Sequence, residues 1–104
     1  MQIHFTFRKV DDKSKEKLEQ CFYSSKLNRL TRLLNHRDLE SANLDIRAEY
    51  FKKHNAFSVQ AEMNIKKSHL IGQEASHDII KACGLALNRL MSQLRKVENI
   101  KHKK

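Results

Sequence analysis

The chain has 104 residues, 39% hydrophobic and 32% charged, with a formal net charge of +9 from 21 Lys and Arg against 12 Asp and Glu. That length gives one domain with one thin core, which argues against an enzyme built around a deep cavity, and the lack of proline with only two glycines argues against extensive disorder. Apolar runs of a few residues exclude a membrane-spanning helix, and Met1-Gln2-Ile3-His4-Phe5 lacks the charged-then-apolar pattern of a secretory signal, so a cytoplasmic protein is expected.

Residues 2–8 alternate, with Ile3, Phe5 and Phe7 on one face and Gln2, His4 and Thr6 on the other, which is the period of a half-buried strand. Asp11-Asp12 closes that strand and supplies a carboxylate that can cap a following helix. From about Ser14 to Asn35, Leu18, Phe22, Tyr23, Leu27, Leu30, Leu33 and Leu34 recur at helical spacing. Lys26, Arg29 and Arg32 follow at intervals of three and drift across the side away from the core. His36 to Ser41 reads as a polar connection.

Two alternating strands come next. Residues 43–51 turn Leu44, Ile46, Ala48 and Tyr50 inward, and 56–66 turn Phe57, Val59, Ala61, Met63 and Ile65 inward. Lys52-Lys53-His54-Asn55 between them reads as a hairpin turn. A shorter strand follows a Lys67-Ser68 turn, around His69–Ala75. Ser76 is the predicted N-cap of a second helix, with Asp78 in its first turn, where a carboxylate meets the helix dipole favourably. Ile80, Cys83, Leu87, Leu90, Met91, Leu94 and Val97 mark that helix to about Asn99, and 100–104 read as a frayed basic tail. The expected fold is α+β, a two-layer β-α-β-β-β-α domain over residues 1–104. Its four-stranded sheet carries two roughly parallel helices on one face.

The charge is segregated. Residues 13–37 carry a net +5 and residues 81–104 a net +6, whereas every other stretch nets 0 or −1. Excess confined to two helices makes an electrostatic footprint, and the usual partner for one of this sign is nucleic acid. Lys13, Lys15 and Lys17 read as an ordinary solvated face.

Catalytic patterns are missing. The six histidines form no HExxH and no ligand spacing with cysteine, and there is no GxSxG or P-loop. Cys21 and Cys83 read as reduced, buried small side chains. No catalytic residue, metal, cofactor or small-molecule substrate is therefore expected. Most aromatics fall at inward positions, so core packing explains them better than base stacking; Phe51 breaks the alternation and stands apart.

Several segments are similar to one family. Met1-Gln2-Ile3 with the alternation after it looks like that family's first strand. Phe22-Tyr23-Ser24-Ser25-Lys26-Leu27-Asn28-Arg29-Leu30 matches its pattern of an aromatic pair followed by Lys-apolar-x-basic-Leu. From Leu70 to Lys96, Asp78, Ala82, Arg89-Leu90, Gln93-Leu94 and Lys96 fall on its characteristic positions. In these respects the chain resembles the ribosome hibernation promoting factors, which include the ribosome-associated inhibitor of translation. It departs at Gly84, where an Asp is common, and at Glu98, in a tail that is usually basic. Ending after the second helix, it looks like the short form, without a C-terminal dimerisation domain.

The resemblance implies a domain lodged between head and body of the small ribosomal subunit. There it would cover the decoding region, block mRNA and tRNA binding, and idle ribosomes during stress or stationary phase. On this reading the partners are the small subunit and its rRNA, with no membrane, and the free protein is a monomer. The expected RNA contacts are Lys26, Arg29 and Arg32 from the first helix and Lys81, Arg89, Arg95, Lys96 and Lys101 from the second. Arginine's planar fork grips two phosphate oxygens, and lysine acts as a point charge. The competing expectation is a stand-alone module for double-stranded RNA outside the ribosome, which would also read shape and backbone. A small nuclease is a third reading, disfavoured by the missing catalytic constellation.

Overall fold

A computed structural model of the chain describes residues 1–34, 36–65 and 68–102, without the side chains of 36, 37 and 98–102. Strand β1 (Gln2–Arg8) alternates as expected. Helix α1 (Asp12–Cys21) starts at an Asp11 cap, whose carboxylate accepts from the Ser14 N–H at 3.3 Å and from its hydroxyl at 2.6 Å. The Ser14 hydroxyl is the main cause of a lowered Asp11 pKa. A carboxylate with a depressed native pKa stabilises the fold above its unfolded pKa and loses that effect as pH falls through the native value. Asp11→Ala is therefore expected to lower the melting temperature at neutral pH, with the gap to the parent closing in strong acid. Thermal denaturation at both pH values checks this; a gap that persists in strong acid would contradict it.

The expected unbroken helix is not what forms. After α1 comes a π-turn (Phe22–Lys26), then α2 (Leu27–Thr31), and Asn35 lies outside the described residues. The Ser24 and Ser25 hydroxyls both donate to the Cys21 carbonyl, at 3.4 and 3.2 Å, while the Leu27 N–H reaches back to Phe22 O. Such hydroxyls compete with the backbone for its own acceptors, which loosens the α ladder locally. The wider turn also corrects phase. Leu18, Phe22, Lys26 and Leu30 recur every four residues, which in a plain α-helix would wind away from the core by about 40° per step. With the π-turn in place, Leu18, Phe22 and Leu30 are all fully buried.

The segment read as a polar connection is in fact helix α3 (His36–Ser41), continued by an Ala42 N–H bond to Asp38 O at 2.9 Å. Asp38 on it is completely buried. A six-residue helix with Leu39 as its one apolar residue presents no periodic stripe, so nothing in the pattern announced it.

Strands β2 (Asn43–Phe51), β3 (Ala56–Ile65) and β4 (Ser68–Ser76) complete the sheet in the order β1-β2-β3-β4. β1 and β2 are parallel, joined through the α1–α3 segment; the other pairs are antiparallel. The expected hairpin turn is a 3₁₀ turn (Lys52–His54) closed by Asn55 at φ 45°, a left-handed conformation that asparagine tolerates. Tyr50 donates its hydroxyl to Asn55 Oδ1 at 2.7 Å. Lys66, the expected end of the third strand, and Lys67, in the expected turn, lie outside the described residues, and Ser68, expected in that turn, opens β4.

Helix α4 (Ile79–His102) has a different cap from the expected one. Asp78 is the capping side chain, its Oδ1 accepting from the Ile80 N–H at 2.9 Å, while Ser76 ends β4 and accepts from the Asp78 N–H at 3.2 Å. Its backbone runs three residues past the expected end, and the side chains of the tail over 100–104 lie outside the described residues.

Both layers meet in one core. Leu44, Ile46, Val59, Ala61 and Met63 from the sheet, and Leu18, Phe22, Leu30, Leu87, Leu90 and Leu94 from the helices, are all buried. α1 and α4 run in the same direction: Lys17 and Cys21 line a cleft with Ile80, and one turn further on Lys26 reaches Gly84. The two-layer architecture with parallel helices thus forms as expected, and none of the described elements covers the outer face of the sheet.

Gly84 is a helix-interior glycine with room to spare. A Cβ there would meet only Lys26 Nζ and Cε, at 3.6 and 3.7 Å. Replacing it by alanine removes backbone freedom from the unfolded chain without a clash, so Gly84→Ala should stabilise the domain by about 0.5–1 kcal/mol. The corresponding rise in melting temperature is roughly 4 °C; an unchanged or lowered value would show that Lys26 cannot give way.

Candidate nucleic-acid interface

The structure places the candidate cations on three different surfaces of the helix layer. Arg29 and Arg32, in and just after α2, are exposed. Lys26 is not on the side away from the core. It is half-buried in the column between Phe22 and Leu30, with its stem laid against Gly84 of α4 and its ammonium at the seam between the helices. A long aliphatic stem can pack there while the charge stays wet.

On α4, Lys81, Arg95 and Lys96 are exposed. Arg95 follows Gly84 by eleven residues, which returns it to the flank that faces the first helix. Arg89 and Lys96, seven residues apart, share the other flank with Gln93, the side toward β4. Lys101 is on the last turn of α4, and its side chain lies outside the described residues.

Arg89 is already engaged. Its Nε donates to Glu74 Oε1 on β4, and the two form a salt bridge with the Arg side chain 64% and the Glu side chain 24% exposed. One turn on, Gln93 accepts from the Ile71 N–H at 3.1 Å and donates to the Ile71 carbonyl at 2.6 Å. This amide stands in for a missing strand and covers part of the β4 edge, which would otherwise offer unpaired backbone groups. Arg89 and Gln93 therefore fasten α4 to the sheet. Of the candidate cations among the described residues, those left open are Arg29, Arg32, Lys81, Arg95 and Lys96, with Lys26 at the seam.

Sequence reasoning missed one exposed aromatic and singled out another without giving it a role. Tyr23, placed with the core aromatics, is 53% exposed beside the inter-helix cleft, although its ring touches Phe5 and Phe22. Phe51 is 42% exposed on the outer sheet face, near cations from three separate segments. The break in alternation at Phe51 was the one signal of this; the neighbouring charges carry no signal in linear order.

Burial, then the nearby Cys21, pushes the Cys83 thiol up to about 12, against an opposing effect of Lys26, so it stays protonated and inert. Cys21 is half-buried, not buried as expected. Among the described residues no group of three or more His, Cys, Asp or Glu could hold a metal ion, and no helix is long and apolar enough to cross a membrane.

No family model and no curated protein sequence matches the chain. Solved structures do match it. A ribosomal subunit interface protein from Coxiella burnetii superposes with a TM-score of 0.68 at 24% identity, over 95% of this chain and 99% of that one. The N-terminal domain of Thermus thermophilus Protein Y superposes with a TM-score of 0.69 at 17% identity, over 93% and 99%. The likeness is one of fold, end to end, and it is the β-α-β-β-β-α fold expected from the sequence.

Proposed function

We propose that this chain is a non-enzymatic, cytoplasmic ribosome-binding factor, a single domain that docks on the small subunit through its helix layer. It covers the decoding region, blocks mRNA and tRNA binding, and idles ribosomes under stress or in stationary phase. The observation that carries this reading is the end-to-end fold shared with a protein described as a ribosomal subunit interface protein. The parallel helices add a physical reason: they present open cations on one rigid layer, suited to the phosphates of a structured RNA groove. A-form RNA hides its major-groove edges, so recognition by backbone and shape is what such a surface can deliver.

The test is co-sedimentation of the free protein, a monomer on this reading, with purified small subunits over a salt series. Pelleting at low salt that falls away steeply as salt rises supports the proposal, because each neutralised phosphate releases counterions. Binding to free duplex RNA with no pelleting would favour the stand-alone double-stranded-RNA module instead.

A further inference from the structure

The outer sheet face carries a second cationic surface, at the end where β1 finishes and the β2–β3 hairpin turns. Two adjoining shallow concavities meet there and share Glu49 and Phe51. Strand register floors the first with the row Thr6–Arg47–Gln60–Gln73 and, beside it, the row Arg8–Glu49–Ser58. Around the hairpin turn, Lys9, Lys52, Lys53 and His54 line the second. Five lysines and arginines thus face one carboxylate, Glu49, and among the described residues none of the five is in a salt bridge.

Phe51 stands where the concavities join. In register it pairs with Ala56, and among the described residues its ring touches no other aromatic. An exposed phenylalanine alone would mean little. Here it coincides with a local cluster of open cations and with a row of neutral hydrogen-bonding side chains.

The backbone under the surface is held in place. Two of the chain reversals at this end, after β1 and between β2 and β3, use left-handed residues, Lys9 at φ 60° and Asn55 at φ 45°. Asn55 is tied by Tyr50 and by His77, whose Nδ1 lies 2.6 Å from its carbonyl oxygen. A cationic groove beside an open aromatic ring is the arrangement that holds single-stranded nucleic acid, because every base has a π-face and every linkage a phosphate.

We propose that this end of the sheet binds an unpaired stretch of RNA, Phe51 stacking on a base while Arg8, Arg47 and the three lysines take the flanking phosphates. The site is separate from the helix layer and adds a second RNA surface to the ribosome reading without depending on it. Fluorescence anisotropy with a labelled ten-nucleotide oligouridylate tests it. Phe51→Ala should weaken binding about 5- to 150-fold and Phe51→Tyr should keep it, since tyrosine retains the stacking face. Arg47→Gln should lower the slope of log affinity against log salt by about 0.7, the loss of one single-strand phosphate contact. Phe51→Ala should melt at the parent's temperature.

Parent-level binding by Phe51→Ala, or a parent that does not bind the oligonucleotide at low salt, overturns the proposal. So does loss of oligonucleotide binding in a helix-layer variant such as Arg29→Glu/Arg95→Glu when Phe51→Ala keeps it. If the parent fails to pellet with small subunits but its oligonucleotide binding still depends on Phe51, the ribosome reading falls and the sheet-face site stands.

Discussion

Gly72→Ala should unfold this domain or leave it barely folded. Gly72 lies on the buried face of β4, where α4 crosses so closely that an added Cβ would stand 2.2 Å from the Ala86 carbonyl oxygen and 2.8 Å from the Leu90 nitrogen. Both are backbone atoms of a regular helix, so neither can turn aside as a side chain could. Relief requires α4 to lift off the sheet, which would also break the Arg89–Glu74 bridge, pull Gln93 from the β4 edge, and open the core around Leu87 and Leu90. Overpacking a tight core costs about 1–3 kcal/mol, and a clash against backbone on both sides belongs at or above the top of that range. At about 3 kcal/mol the melting temperature of a domain this size falls by more than about 10 °C. Circular dichroism through a thermal ramp reads this directly; a variant that melts within a few degrees of the parent would show that the helix–sheet spacing is softer than the structure implies.

Arg29→Glu combined with Arg95→Glu should abolish small-subunit binding with the fold intact. Both side chains are exposed, neither is in a salt bridge among the described residues, and they lie on α2 and α4 of the helix layer. Each lost charge-assisted contact to phosphate is worth about 1.5–3 kcal/mol, so the pair amounts to a loss on the order of 100-fold or more. Any residual binding should show a salt slope reduced by about 2, one for each phosphate no longer neutralised. Arg89 makes a poorer choice than its exposure suggests. Arg89→Glu would set a second carboxylate against Glu74 and weaken the α4–β4 junction, so its effect on binding would be mixed with one on stability. Unchanged pelleting by Arg29→Glu/Arg95→Glu, with an unchanged far-ultraviolet spectrum, would remove the helix layer from the interface.

Strand alternation and helical spacing were plain in the linear order because they report which face each residue buries, a property set locally by backbone periodicity. Ile3, Phe5 and Phe7, or Val59, Ala61 and Met63, therefore declared their strands directly. The π-turn at Phe22–Lys26 was not declared, since Ser24 and Ser25 are compatible with an ordinary helix until their hydroxyls are seen on the Cys21 carbonyl. Helix α3 was hidden for a related reason: Asp38 on it is buried, and pattern reading assigns a carboxylate to the surface. The cap of α4 moved from Ser76 to Asp78 because both side chains, two residues apart, are good N-cap acceptors and the linear order does not choose between them.

Element order, the two-layer α+β class and the gathering of cations on two helices were all readable in linear order, since each depends on residues near one another along the chain. Which cations are open depends instead on contacts made in three dimensions. Glu74 takes Arg89 across 15 residues, and Gly84 draws Lys26 into the seam across 58. Segments that net 0 or −1 still build a cationic end around Phe51, because the sheet brings Arg8 and Lys9 beside Arg47, Lys52 and Lys53. Charge acts over ångströms of space, whereas a sum along the chain weights residues by sequence distance, and in this fold the two diverge most at the outer face of the sheet.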